Sequence, residues 1–261
     1  MRSLNIAATG MQAQQTYVDV ISHNLANMTT TSYKRQRPEF QDLIYENLRR
    51  VGANSSDAGT IIPTGVQLGL GVKTGATYRS MAQGTLELTD NPLDIAVNGQ
   101  GFFIVELPNG QQAYTRNGAL QKSPQGEIVT GDGFLVLPGV LIPDDATAIS
   151  INDSGEVEVS IDGQVVPANL GQLELATFIN EPGLEAIGDN LFLETPASGA
   201  PVQGFGGEQG FGVVLQGYLE TSNVNPVTEI TNLIVAQRAY EMNSKVITAS
   251  DEMLQALNQS A

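Results

Sequence analysis

Residues Asn225–Ala261 read NPVTEITNLIVAQRAYEMNSKVITASDEMLQALNQSA, and their pattern decides how the rest of the chain is read. Asn225 suits an N-cap and Pro226 the first helical position. Glu229 falls in the first turn, on the favourable side of the helix dipole. No Gly and no further Pro follows. Leu233, Tyr240, Ile247 and Leu254 recur every seven residues, and Ala236, Ala239, Val246, Met253 and Leu257 widen the stripe. Such a heptad seam predicts a long helix that is marginal alone and firm only against a partner. The opposite face carries Gln237, Asn243, Ser244, Ser250 and Gln255, polar and largely uncharged.

A candidate partner stands at the other end. Leu4, Met11, Val18 and Leu25 are again seven apart, with Ala7 and Ile21 three residues behind the first and third. Gln14 interrupts the stripe, and Gly10 costs about 1 kcal/mol relative to Ala in a helix interior. The spacing predicts a helix over 3–27 with a weaker, partly polar seam. Its alternative is two surface helices on one ordinary core.

Composition narrows the function classes. The chain has 261 residues, no Cys, no Trp and one histidine, His23. Disulfides and thiolate chemistry are excluded, and no apolar run reaches membrane-span length, so no membrane insertion is expected. The start has no secretory h-region. The net charge is −16. Residues 1–50 hold six basic and four acidic side chains, the remainder six and twenty-four, so nucleic acid is not an expected partner. The basic residues Lys34, Arg35 and Arg37 cluster just after the first helix, with Arg49 and Arg50 further on. By default this is a solvated face; functionally it could meet the acidic middle of a second copy.

The middle reads as β. Val66, Leu68, Leu70 and Val72 alternate among glycines, and 31–80 reads as an extended connector built on a hairpin. Beyond it, Asn98-Gly99, Asn109-Gly110, Asn117-Gly118, Asp132-Gly133 and Asp162-Gly163 mark tight turns. They separate strand-like segments near residues 93–97, 102–107, 134–137, 157–161 and 173–179. Residues 199–212, with six glycines, read as a loop or irregular edge. The expected fold class is α+β: paired terminal helices (1–30 and 226–261) forming a discontinuous helical foot. An extended β connector (31–80) and a mainly-β domain (81–225) are inserted between them.

No catalytic constellation emerges. His23 lacks the converging partners of a metal site or triad. Asn152 to Glu156 lacks EF-hand spacing and reads as a turn. The glycine run 204–212 lacks the Lys-Ser/Thr of a phosphate loop. Carboxylates are too numerous for any pair to be informative. No cofactor, no metal and no enzymatic activity is expected. A secreted carbohydrate-active β domain, or a coiled-coil binding module such as an adhesin, are the contrasting readings.

Several segments resemble the rod and hook (axial) protein family of the bacterial flagellum. These are Ile21-Ser22-His23-Asn24-Leu25-Ala26-Asn27 with Thr31-Ser32-Tyr33-Lys34-Arg35, then Asp94 to Phe103, Tyr114 to Gly118, Gly217 to Asn225, and Gln237 to Asn243. The match covers nearly the whole chain, and the basic extended stretch after residue 31, with the length, points to the distal rod members, with a proximal-rod or hook subunit of the same family as the alternative. Ser32 departs from the signature, which usually has Gly there. The resemblance implies a structural subunit of a helical tube that transmits torque and encloses an export channel. It implies export without a cleaved signal peptide, and location in the basal body from periplasm to outer membrane. Implied partners are further copies, proximal rod proteins, hook protein, rod cap, and P- and L-ring proteins. The implied subunit contacts are the two seams (Leu4, Met11, Val18, Ile21, Leu25; Leu233, Tyr240, Ile247, Leu254, Leu257) and the basic cluster.

Overall fold

The computed structural model describes residues 2–49, 64–162 and 166–260. Asp162-Gly163 therefore lies partly outside the described residues, as does Arg50. The chain has a helix at each end and a mainly-β middle, and it divides into two units.

The first unit comprises Met1–Ala26, Gln36–Tyr78 and Asn225–Ala261. Helix α1 spans Arg2–Ala26 and helix α2 spans Pro226–Ser260. The α2 start forms as its sequence dictates. The Asn225 side-chain oxygen accepts from the N–H groups of Val227 (3.1 Å) and Thr228 (3.2 Å), satisfying two donors that the helix leaves without an internal partner. The connector stretch is extended: β1 (Gln36–Asp42) and β2 (Tyr45–Arg49) precede β3 (Val66–Gly69) and β4 (Val72–Arg79). β2 pairs antiparallel with β3, and β1 pairs with β4. α1 packs on β1 through Tyr17 and Phe40, whose rings meet edge-to-face at 6.2 Å.

The second unit comprises Asn27–Arg35 and Arg79–Val224. Its strands are short: β5 (Leu86–Leu88), β6 (Ile95–Asn98), β7 (Phe102–Glu106), β8 (Gln112–Thr115), β9 (Leu120–Lys122), β10 (Ile128–Thr130) and β11 (Leu135–Val136). After these come β12 (Ala146–Ile151), β13 (Glu156–Ile161), β14 (Ala168–Gln172) and β15 (Glu174–Thr177). The series ends with β16 (Glu185–Gly188), β17 (Leu191–Leu193), β18 (Val202–Phe205), β19 (Val213–Gln216) and β20 (Tyr218–Glu220). The main sheet runs β16-β17-β8-β7-β11-β10-β9, and β15 pairs both β7 and β18. The glycine-rich 199–212 stretch thus contributes an edge strand, β18, before becoming irregular.

β7 explains why this unit has a continuous apolar strand where an exposed sheet would alternate. Phe103 and Val105 enter a cluster with Ile95, Val97, Leu120, Leu175 and Val214. Phe102 and Ile104 enter another with Tyr114, Phe178 and Phe192. Both faces are covered, so both registers of the strand must be apolar. The β7–β8 turn has Gly110 at φ +78°, a left-handed conformation that the Asn-Gly pair supplies cheaply.

Candidate functional site

Two arrangements concentrate polar chemistry, one in each unit. In the first unit the helices run antiparallel, and their closest polar approaches repeat every seven residues. Ser250 Oγ donates to Ser3 Oγ at 3.3 Å. A Cβ on Gly10 would stand 2.8 Å from Asn243 Nδ2. Asn24 Nδ2 donates to Glu229 Oε2 at 3.1 Å. Ala236, fully buried, falls on the same line of α2. Asn24 is also tied to the start of β1, donating to Gln36 O (2.8 Å) and accepting from Gln36 N–H (2.9 Å).

The contact line is therefore a heptad of mostly small and polar residues, with Tyr17 as its large member, and not the aliphatic heptad beside it. Leu4, Met11, Val18 and Leu25 lie one residue further along α1 and are half-buried, while Ile21 is buried. On α2, Leu233, Ile247 and Leu254 are half-buried and Tyr240 is exposed. The side chain of Leu257 lies outside the described residues. Small residues bring helix axes together where large ones would hold them apart. Gly10, a simple propensity cost in the sequence, is the position that admits Asn243. Asn243 and Ser250 accordingly face α1, which corrects their assignment to the outer polar face. Gln237, Ser244 and Gln255 remain on that face and are exposed, and exposed Thr248 joins them.

The pair leaves apolar surface uncovered. Val235, Met242, Val246 and Met253, spaced seven, four and seven apart, are 60%, 61%, 46% and 60% exposed. A cavity of about 430 Å³ between the helices is lined by Gln15, Val18, Gln237, Tyr240 and Glu241.

The second unit contains a buried ion cluster. Lys34 Nζ donates to Glu220 Oε1 at 2.6 Å, and Arg116 Nε donates to Glu220 Oε2 at 2.9 Å. Lys34 and Glu220 side chains are 1% exposed. Gly84 N–H adds a bond to Glu220 Oε1 (2.8 Å), and Lys34 also donates to Ala82 O (3.0 Å). Arg116 also donates to the carbonyls of Gly101, Val97 and Gly99 at 2.9–3.0 Å. Burial alone would raise the Glu220 carboxyl, but Arg116, Lys34 and the Gly84 N–H outweigh it and hold the pKa below 4.5. Burial, then Arg116, pushes the Lys34 ammonium below 10.5, and Glu220 opposes them only in part. Glu181 is raised above 4.5 by burial, against the pull of Arg116 and Lys34. Lys34 is therefore not a free basic patch: its charge is spent inside the unit. Arg35 is half-buried and Arg37 exposed. The cluster escapes a sequence reading because its members lie 82 and 104 residues apart along the chain. Only the signature segments containing Lys34, Arg116 and Glu220 hint at it.

Ser32 turns the chain into this cluster. Its φ is +57°, the left-handed region where Gly is usual. Its N–H donates to Glu220 O (2.8 Å) and its hydroxyl to Arg116 O (2.7 Å). The tight turn is kept without Gly because the hydroxyl gains a buried acceptor.

Among the described residues no group of acidic or imidazole side chains could hold a metal ion, and no helix is long and apolar enough to cross a membrane. Two terminal helices, a β middle and an uncovered helical stripe are features of a structural, assembly-forming protein. Three family descriptions match: "Flagella basal body rod protein" at residues 4–34, "Flagellar hook protein FlgE/F/G D1 domain" at 96–159 and "Flagellar basal body rod FlgEFG protein C-terminal" at 215–260. They define the class as the axial proteins of the flagellar rod and hook.

Similar curated proteins narrow this further. The flagellar basal-body rod protein FlgG of Caulobacter vibrioides is 58% identical over 99% of both chains, and that of Agrobacterium fabrum 51% identical over 97% of both. The counterpart in Borreliella burgdorferi is 46% identical over 99% of this chain and 98% of its own. The chain belongs to the flagellar basal-body rod protein FlgG family, whose members are structural rather than enzymatic.

Proposed function

We propose that the chain is a subunit of the distal rod, polymerising into a rigid tube that transmits torque from motor to hook and encloses the export channel. The observation that carries this is the uncovered α2 stripe Val235, Met242, Val246 and Met253. A single helix pair satisfies one face of α2, and burying a side chain of this size against a neighbour is worth ~1.5–3 kcal/mol. Copies of the same helix pair are the occupant that repeats along a tube. The segments 1–30 and 226–261 form the inner core of that tube as a paired helical foot. The connector 31–80 and the domain 81–225 face outward. The uncharged line Gln237, Ser244, Thr248 and Gln255 suits a channel wall that must not retain a passing chain. Exposed Arg37 suits contact with an acidic neighbouring copy.

In this reading the subunit is exported without a cleaved signal peptide and spans the periplasm towards the outer membrane. It meets proximal rod proteins below, hook protein above, the rod cap during growth and the P- and L-ring proteins around it. The test is Met242→Asp and Val246→Asp in the full chain. The expected result is an unchanged β transition in calorimetry with loss of open-ended growth in sedimentation and micrographs. Normal rods from both variants would refute the assignment, and a fixed small oligomer from the wild type would favour a coiled-coil binding module.

A further inference from the structure

Every covalent passage between the two units begins or ends on one of three segments of the second unit: 27–35, the residues following Arg79, and those preceding Val224. These segments are stitched to one another. Asn223 N–H donates to Tyr33 O (3.4 Å), and Asn223 Oδ1 accepts from Arg35 N–H (2.7 Å). Ser80 N–H donates to Arg35 O (2.8 Å), and Asn223 Nδ2 donates to the carbonyls of Ser80 (2.9 Å) and Ala82 (2.8 Å). Glu220 sits at the junction, bonded by Lys34 from the first segment, Gly84 from the second and Arg116 from the sheet.

We propose that the Lys34–Glu220–Arg116 cluster is a latch that makes these three segments close and open as one joint, separately from the core around β7. The reason lies in what a partly closed joint would contain. If residues 27–35 leave, Glu220 loses Lys34 and the Ser32 N–H. If Glu220 leaves, Lys34 and Arg116 remain as neighbouring like charges with no anion bonded to either. A buried charge stripped of its partner is strongly unfavourable, so intermediate states are disfavoured and docking becomes all-or-none. The hydrogen bonds across the joint are made by Ser32, Lys34, Arg35, Ser80, Glu220 and Asn223, and Met81 of the second segment also packs on the cluster of Phe102 and Ile104. The opposite face of β7 is held by the other cluster, through Phe103 and Val105, which takes no residue from the three segments, so opening the joint leaves that core in place. One rigid root for all four passages is what a torque-carrying subunit needs, and that purpose rests on the rod reading above.

Native-state hydrogen exchange of the monomeric full-length chain tests this in rising denaturant. In the wild type, the amides of Ser32, Gly84 and Asn223 are expected to merge onto one opening transition, below that of Phe103 and Val105. In Glu220→Gln and in Lys34→Met, protection at Ser32 and Asn223 is expected to fall together, by about a hundredfold or more, with residues 102–106 unchanged. Three separate transitions in the wild type would overturn the latch, as would loss confined to the substituted segment or equal loss in 102–106. Because the wild-type measurement needs no variant to fold and no polymer to form, it separates failure of the latch from failure of the rod assignment.

Discussion

Ser32 sets two effects of similar size against each other, which makes its substitution series informative. It is buried, left-handed at φ +57°, and bonded through its hydroxyl to Arg116 O. A side chain in this conformation costs ~1–2 kcal/mol, and a buried hydrogen bond contributes ~0.5–1.5 kcal/mol net. Ser32→Gly removes the strain and the bond together. It also adds ~0.4–1 kcal/mol of unfolded-state freedom, so the effects nearly cancel and the net change should lie within about 1.5 kcal/mol of zero. Ser32→Ala keeps the strain and leaves the Arg116 carbonyl without its hydroxyl donor, a loss of ~1–2 kcal/mol. Ser32→Val adds β-branching where it is least tolerated, for a loss of ~3 kcal/mol or more. Calorimetry of the β transition in the full chain reads these values, since 1 kcal/mol moves Tm by about 2–4 °C for a unit of this size. The expected order is Ser and Gly together, then Ala, then Val. An Ala variant as stable as wild type would refute the role of the hydroxyl, and a tolerated Val would refute the turn geometry.

Two further outcomes follow from the second unit. A Cβ on Gly118 would collide with the Ile95 carbonyl oxygen, which belongs to backbone and cannot swing aside. Gly118→Ala should therefore destabilise the sheet by ~3 kcal/mol or more, whereas Gly110→Ala, with nothing near its Cβ position, should cost only ~1 kcal/mol for its left-handed φ; equal losses in urea unfolding would count against the close approach. The acid limb of stability should be set by Glu220. Its folded pKa lies below 4.5, so its stabilisation is complete above that value and is lost as pH falls through the folded pKa. Glu181, raised by burial, has the opposite sign: its penalty is relieved as pH falls through its own value. Glu220→Gln should flatten the decline of Tm below pH 4.5, and an undiminished decline would show that other carboxylates control it.

The terminal helices were legible in the sequence because their signals are local. Asn225 and Pro226 set the start of α2, and heptads set both helices' extent. The β middle was legible from its Asn-Gly and Asp-Gly turns, with strands found at 95–98, 102–106 and 156–161. The ion cluster was not, because an isolated Lys belongs outside by default. Lys34 is drawn in by Glu220 and the Ala82 carbonyl, which periodicity cannot connect to it. Arg37, three residues on, keeps the default and stays exposed. Glu229 shows the same limit. Its place in the first turn suggests a dipole contact, yet its side chain is buried against Asn24 from the other end of the chain.

The helix pair shows why apolar periodicity locates the two helices but not the line they share. A heptad of Leu, Met, Val and Ile marks a face that will be covered, but not by which surface. The line that α1 and α2 share carries Ser3, Gly10 and Asn24 against Ser250, Asn243 and Glu229. Small side chains there let the helices approach, and polar ones fix register, since sliding either helix by a single residue would part Asn24 from Glu229 and drive Asn243 away from the gap at Gly10. Large apolar side chains are then displaced to the flanks, where Leu233 and Leu254 stay half-covered and Val235, Met242 and Met253 stay open. A chain selected only to fold alone would gain from placing its largest side chains on the shared line. Keeping them outside costs the monomer stability and leaves them for a neighbour, which is the division of labour expected of a subunit whose helices are completed by assembly.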